Sequence, residues 1–152
     1  MRGSRVGRCC QCCRTRAVSE RERFDFAFDS RFLPFLFGVG VTPGTAFVVL
    51  TAHDRLLARF GPWRVLTPLE NVRDVCVTGP YQWFKAIGPR MSFADRGVTF
   101  GTSTAGGVCV LFRDPVPALD PFGVLRHPGL TMTVADPPGL AEALQRRTYL
   151  NV

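Results

Sequence analysis

Apolar residues at helical spacing carry one segment of this chain, Leu140, Ala143 and Leu144 with Arg147 one turn on, close to its end. Everything from Phe24 to Val134 is patterned instead with period two and cut into short pieces by glycine and proline. Side chains alternate across a strand, so a period of two with frequent breaks prescribes short, half-buried strands. The chain is therefore expected to be mainly β: a small barrel of about seven or eight antiparallel strands, capped by one C-terminal helix.

The strands read as follows. Phe24, Phe26 and Phe28 alternate with Asp25, Ala27 and Asp29. Phe32 to Gly44 is punctuated by Pro34, Gly38 and Gly40 and is expected to cross the end of a sheet. Thr45–Thr51 and Arg55–Phe60 flank Ala52-His53-Asp54, which predicts a hairpin with a short polar turn. Phe60 to Trp83 is the stretch around which the rest is arranged, because Thr67–Val72 links a strand ending at Leu66 to one carrying Val75 and Val77. Met91 and Phe93, then Val98 and Phe100, alternate about Asp95-Arg96-Gly97. Val108, Val110 and Phe112 share one face of the next strand, with Cys109 and Leu111 on the other. Asp114 to Pro128 holds four prolines and reads as a long surface connection, followed by a last strand with Leu130, Met132 and Val134. Asp136 is the expected N-cap of the helix, with Pro137 at its first position.

The net charge of +7 suggests nucleic acid until its placement is read. Arg2, Arg5, Arg8, Arg14, Arg16, Arg21 and Arg23 face only Glu20 and Glu22, so most of the excess lies in residues 1–23. That segment lacks apolar periodicity and reads as a disordered Arg/Cys-rich arm, with residues 24–152 forming a single domain. Nucleic-acid binding is expected only through the arm, and then nonspecifically. The longest apolar stretch falls short of a membrane span, and the basic start runs into cysteines and charges instead of a signal core. The expected location is the cytoplasm, with the inner face of the membrane as a surface the protein could meet.

Little in the chain points to catalysis or to a cofactor. Cys9, Cys10, Cys12 and Cys13 form two overlapping C-x-x-C spacings, but no second ligand pair follows at a spacing that would close a metal site. His53 falls on a turn, and neither it nor His127 is spaced as a partner to that cluster or as part of a triad. Cys76 and Cys109 lie among apolar residues and are expected to be inert, buried thiols. Gly38–Gly44 and Gly101–Gly107 lack both the spacing and the following helix of a phosphate loop. No catalytic residue, metal ligand or cofactor is assigned.

The early hairpin VVLTAHDRLLARFG, the link TPLENVRDV and the ending LTMTVADPPGLAEAL resemble the bacterial pleckstrin-homology-like (PH-like) domains, more narrowly those of actinobacteria. The resemblance spans Thr45 to Arg147. It implies a PH-like barrel closed by the terminal helix and a non-enzymatic binding or scaffold module. Members that bind phosphoinositides gather basic residues at the first hairpin loop; here that loop offers only Arg55 beside Ala52-His53-Asp54. A split-barrel flavin- or deazaflavin-dependent oxidoreductase is the enzyme alternative at this length. That fold sets helices between its strands and gathers basic residues for the cofactor phosphate, neither of which is read in Thr45–Val134.

The candidate binding residues are Tyr81, Trp83, Phe84 and Lys85, bracketed by Gly79-Pro80 and Gly88-Pro89. Aromatic rings with polar tips beside a cation suit a protein partner or a membrane surface.

Overall fold

The computed structural model describes residues 21–79, 87–91, 96–120 and 122–150. The first sheet is an antiparallel meander in chain order: β1 (Glu22–Asp25), β2 (Ala46–Leu50), β3 (Arg55–Phe60) and β4 (Trp63–Pro68). The second contains β5 (Val72–Thr78), β6 (Gly88–Met91), β7 (Val98–Gly101), β8 (Gly107–Pro117) and β9 (Arg126–Met132), in the order β5-β8-β9-β7-β6. Among the described residues two α-helices are added, α1 (Leu33–Gly38) between β1 and β2 and α2 (Pro137–Leu150) after β9. No helix among the described residues is long and apolar enough to cross a membrane.

The mainly β character and the single C-terminal helix follow the sequence reading. Closure does not. The two sheets remain separate ladders, and nine strands are present among the described residues. They are not all antiparallel either, since β7 runs parallel to β9 with Val98 beside Leu130. Where the sheets meet, the chain itself makes the seam. After Asp25 it leaves β2, and Phe26 forms an isolated bridge to Val134. Ala27 N–H donates to the Thr133 carbonyl, and Ala135 N–H to that of Asp25. The buried Thr102 and Thr133 belong to this seam: Thr102 N–H donates to Thr133 Oγ1 at 2.8 Å, and the Thr102 hydroxyl to the Ala27 carbonyl. These buried polar groups sit there without penalty because they satisfy one another and the crossing backbone.

The β2–β3 hairpin forms at the expected turn, with Leu50 opposite Leu56. Asp54 supplies the turn's positive φ of 53°, a region that aspartate tolerates better than most residues. Its carboxylate accepts from Arg147 on α2 at 2.9 Å, and the same guanidinium donates to the Thr51 carbonyl. The helix begins as its cap predicts, with Gly139 N–H donating to Asp136 Oδ1 at 3.0 Å. It covers β5, β8 and the 3₁₀ turn Leu69–Asn71 with Leu140, Ala143 and Leu144.

Other expectations change with the structure. β1 takes in Glu22 and Arg23, assigned from sequence to the arm, and Glu22 pairs with Arg146 of α2. The segment Phe32–Gly44 contains α1, because Pro34 sits in its first turn, where its missing N–H costs nothing, and Leu36 is fully buried. The proline-rich stretch Asp114–Pro128 is only partly a connection, since β8 runs on through Pro117 and β9 starts at Arg126. The core is aromatic at its centre: Phe60 stacks on Phe100 across the two sheets, rings 5.0 Å apart and 3° from parallel.

Candidate functional site

Among the described residues β4 is hydrogen-bonded to β3 alone, so there one of its edges carries backbone groups with no ladder partner. An unpaired strand edge is a template for another strand. What lies opposite is the far half of β8, and its shape comes from two prolines. Between Leu111↔Gly129 and Val116↔His127 the register shifts, so that Phe112, Arg113, Asp114 and Pro115 oppose only Pro128. Neither Pro115 nor Pro128 has an N–H to give a ladder, and proline inside a sheet is confined to edges and bulges.

The bulged segment swings toward the 3₁₀ turn Leu69–Asn71 and is caught there. Asn71 Nδ2 donates to the Asp114 carbonyl at 3.0 Å, and Asp114 N–H donates to Asn71 Oδ1 at 2.8 Å. One side-chain amide thus does what a neighbouring strand would do. Asn71 Nδ2 also reaches Thr67 Oγ1 at 3.0 Å, and Arg113 Nε donates to the Glu70 carbonyl at 3.1 Å. These bonds hold β4 and β8 at one corner and leave the rest of the space between them open.

That space comprises two recesses of about 520 Å³ each, which share Pro117. The first lies against Leu66, Thr67, Pro68, Arg113, Pro115 and Arg126. The second lies against Trp63, Arg64, Ala118, Leu119, Asp120 and Gly123. Leu66 is 43% exposed on the free strand, an aliphatic side chain that the core does not use. Trp63 is half-buried with its ring 6.4 Å from Phe60.

The β8–β9 loop overhangs the second recess. Asp120 folds it, accepting the N–H of Val124 at 2.7 Å and of Leu125 at 3.0 Å, while Gly123 takes a φ of 69°. The tip is apolar and free, with Phe122 87% and Val124 78% exposed. The Val124 N–H, then that of Leu125, hold the Asp120 carboxyl below the ordinary aspartate range. A depressed folded-state pKa means that the carboxylate stabilises the loop above the unfolded value and that this is lost as pH falls through the folded one. The Val124 and Leu125 amide resonances should therefore titrate together below about pH 4. Asp120→Asn should abolish that titration, and amides that shift unchanged in the variant would show that another group is being reported.

Tyr81, Trp83, Phe84 and Lys85 lie outside the described residues, as do Cys9, Cys10, Cys12 and Cys13. Ile87, just beyond the aromatic segment, is half-buried against the core. His53 is exposed on its turn. His127 is buried, its Nδ1 2.8 Å from the Arg96 carbonyl oxygen, an acceptor only, so Nδ1 is the donor of that bond. Among the described residues no group of three or more His, Cys, Asp or Glu is placed to hold a metal ion.

The two strand cysteines depart from expectation. Cys76 is exposed and Cys109 half-exposed, because both fall on the outer face of the second sheet while Val75, Val108 and Val110 point inward. The groove residues were not singled out from sequence. Their signal was the proline cluster itself, which marks a bulge as well as it marks a loop.

The fold and cleft together define a mainly β domain of two sheets with a C-terminal helix and an open side along β4. Comparisons with protein-family models, with curated proteins and with solved structures find no match for this chain.

Proposed function

We propose that this domain is a non-enzymatic binding module that holds an extended protein segment along the free edge of β4. The observation that carries this reading is the coincidence of an unpaired strand edge with two adjoining recesses. An added strand would draw affinity from main-chain hydrogen bonds and selectivity from alternate side chains set into pockets. The lining suits apolar side chains, with Trp63, Leu66, Leu119 and four prolines, Pro62, Pro68, Pro115 and Pro117, on offer. Arg113 and Arg126 spend hydrogen bonds on carbonyls of the groove wall, which keeps that wall in place.

The chain order supports a PH-like relationship for the core. A four-stranded meander is followed by the antiparallel set β5-β8-β9 and a terminal helix, with α1 and the β6–β7 hairpin as insertions. The Tyr81–Lys85 segment would belong to the second insertion, between β5 and β6.

The test is selection of a displayed random-peptide library on the full chain, followed by amide hydrogen exchange with the selected peptide. Protection should gather on alternate amides of β4. Leu66→Glu, on a side chain that the core does not need, should weaken binding about tenfold or more with an unchanged melting temperature. Protection confined to another surface, or binding that survives Leu66→Glu, would overturn the assignment. Co-sedimentation with anionic vesicles, without any peptide selected, would favour a membrane surface instead.

A further inference from the structure

Cys76 and Cys109 are directly opposite one another in the antiparallel β5–β8 pair, and both lie on the outer face of the sheet. We propose that they form a reversible cross-strand dithiol–disulfide couple, a redox-modifiable site. Directly opposed antiparallel residues have Cα atoms about 4.5–5.5 Å apart, inside the roughly 4.4–6.8 Å that a disulfide spans. Their Cβ atoms stand about 4.5–5.5 Å apart against the roughly 3.8 Å of a formed bond, so the strands need draw together by only about 1 Å. Their neighbours on that face are small or half-exposed: Thr131 stands beside Cys109 on β9, and Gly107 faces Thr78 two residues along β5. Neither sulfur has to leave a packed core to react.

The co-reactant is a low-molecular-weight disulfide such as oxidised glutathione. The exposed Cys76 thiolate attacks one of its sulfurs, forming a mixed disulfide and releasing one thiol. The Cys109 thiolate then attacks Cys76 Sγ, forming the Sγ–Sγ bond and expelling the second thiol. Two protein thiols are oxidised, one external disulfide is reduced, and both protons leave on the released thiols. The second exchange is intramolecular between groups already facing each other, so the mixed disulfide does not accumulate. The closed bond joins β5 to β8 at the base of the excursion that carries β6 and β7.

The experiment equilibrates the full chain in glutathione buffers of increasing oxidised fraction, traps free thiols with N-ethylmaleimide and maps tryptic peptides. The cysteines fall on separate peptides, Asp74–Lys85 and Gly97–Arg113, and the N-terminal cluster falls on Cys9–Arg14. A linked pair of the first two, two hydrogens lighter than the reduced peptides and reversed by dithiothreitol, is the expected product. In Cys109→Ser the reaction should stop at Cys76 bound to glutathione. In denaturant the same oxidation should scatter over all six cysteines, since only the folded register selects this pair. Cys76 that stays capped by glutathione in the unaltered folded protein, or that links mainly to Cys9–Arg14, would overturn the proposal.

Discussion

Phe60→Ala is expected to cost about 3–5 kcal/mol, the range for removing a buried aromatic ring. Against a total stability of about 5–15 kcal/mol for a domain of ordinary size, that is enough to populate the unfolded chain at room temperature if the domain sits low in the range. The reason lies in where the ring stands. Phe60 ends β3, is fully buried, and stacks on Phe100 of β7 while packing 5.4 Å from Phe26 in the crossing strand. One side chain therefore touches the first sheet, the second sheet and the segment that joins them. The ladders do not close into a barrel, so this aromatic cluster does work that continuous hydrogen bonding would otherwise share. Arg59→Ala is the matched control, because Arg59 is exposed and among the described residues its side chain donates to the Gly61 carbonyl at 3.3 Å. Urea titration should show a large fall in midpoint for the first variant and a change within about 0.5 kcal/mol for the second. A Phe60→Ala protein within about 1 kcal/mol of the original would mean that the sheets are held elsewhere.

How far the sequence foretells this depends on how local each feature is. The β2–β3 hairpin and the Asp136 cap were legible because a few adjacent residues decide them. The Phe24–Phe28 alternation correctly announces extended chain, yet period two cannot say that Asp25 pairs with Phe47 while Phe26 bridges Val134. Nor can it show that β7 lies parallel to β9, a choice made by packing between segments distant in sequence. α1 was hidden because Pro34 and Gly38 look like breakers, and a helix of six residues is too short to establish a period.

The site shows the same division. The alternation of Val108, Val110 and Phe112 already sets Cys109 and Leu111 on the opposite face, and the structure leaves both of them half-exposed. Expecting inert thiols gave the apolar neighbours more weight than the period. The pattern was the better guide, since neighbours in a strand lie on opposite faces of the sheet. The groove along β4 was illegible for a different reason. It depends on Asn71 capturing the bulge at Asp114, forty-three positions away, and no local motif announces such a contact.

Leu144→Ala should destabilise by about 2–5 kcal/mol, whereas Gln145→Ala should cost no more than about 1 kcal/mol. The two residues are adjacent, and helix geometry separates them by a rotation of about 100°. Leu144 is fully buried with Leu140 one turn before it and the buried Arg147 three residues after it. Glu142, Gln145, Arg146 and Tyr149 look outward. Gln145 still donates to the Val75 carbonyl at 3.3 Å, which is why its replacement is not expected to be silent. Losing Leu144 leaves a cavity over β5, β8 and the Leu69–Asn71 turn, the same turn whose Asn71 sets the groove. Leu144→Met, which nearly conserves volume, should recover most of the loss and remain within about 1.5 kcal/mol of the original. Hydrogen exchange adds a spatial readout, since Leu144→Ala should raise exchange in α2 and at β5 more than in β2 and β3. Equal melting temperatures for the Leu144 and Gln145 alanine variants would mean that α2 does not dock on the face that carries Leu140 and Leu144.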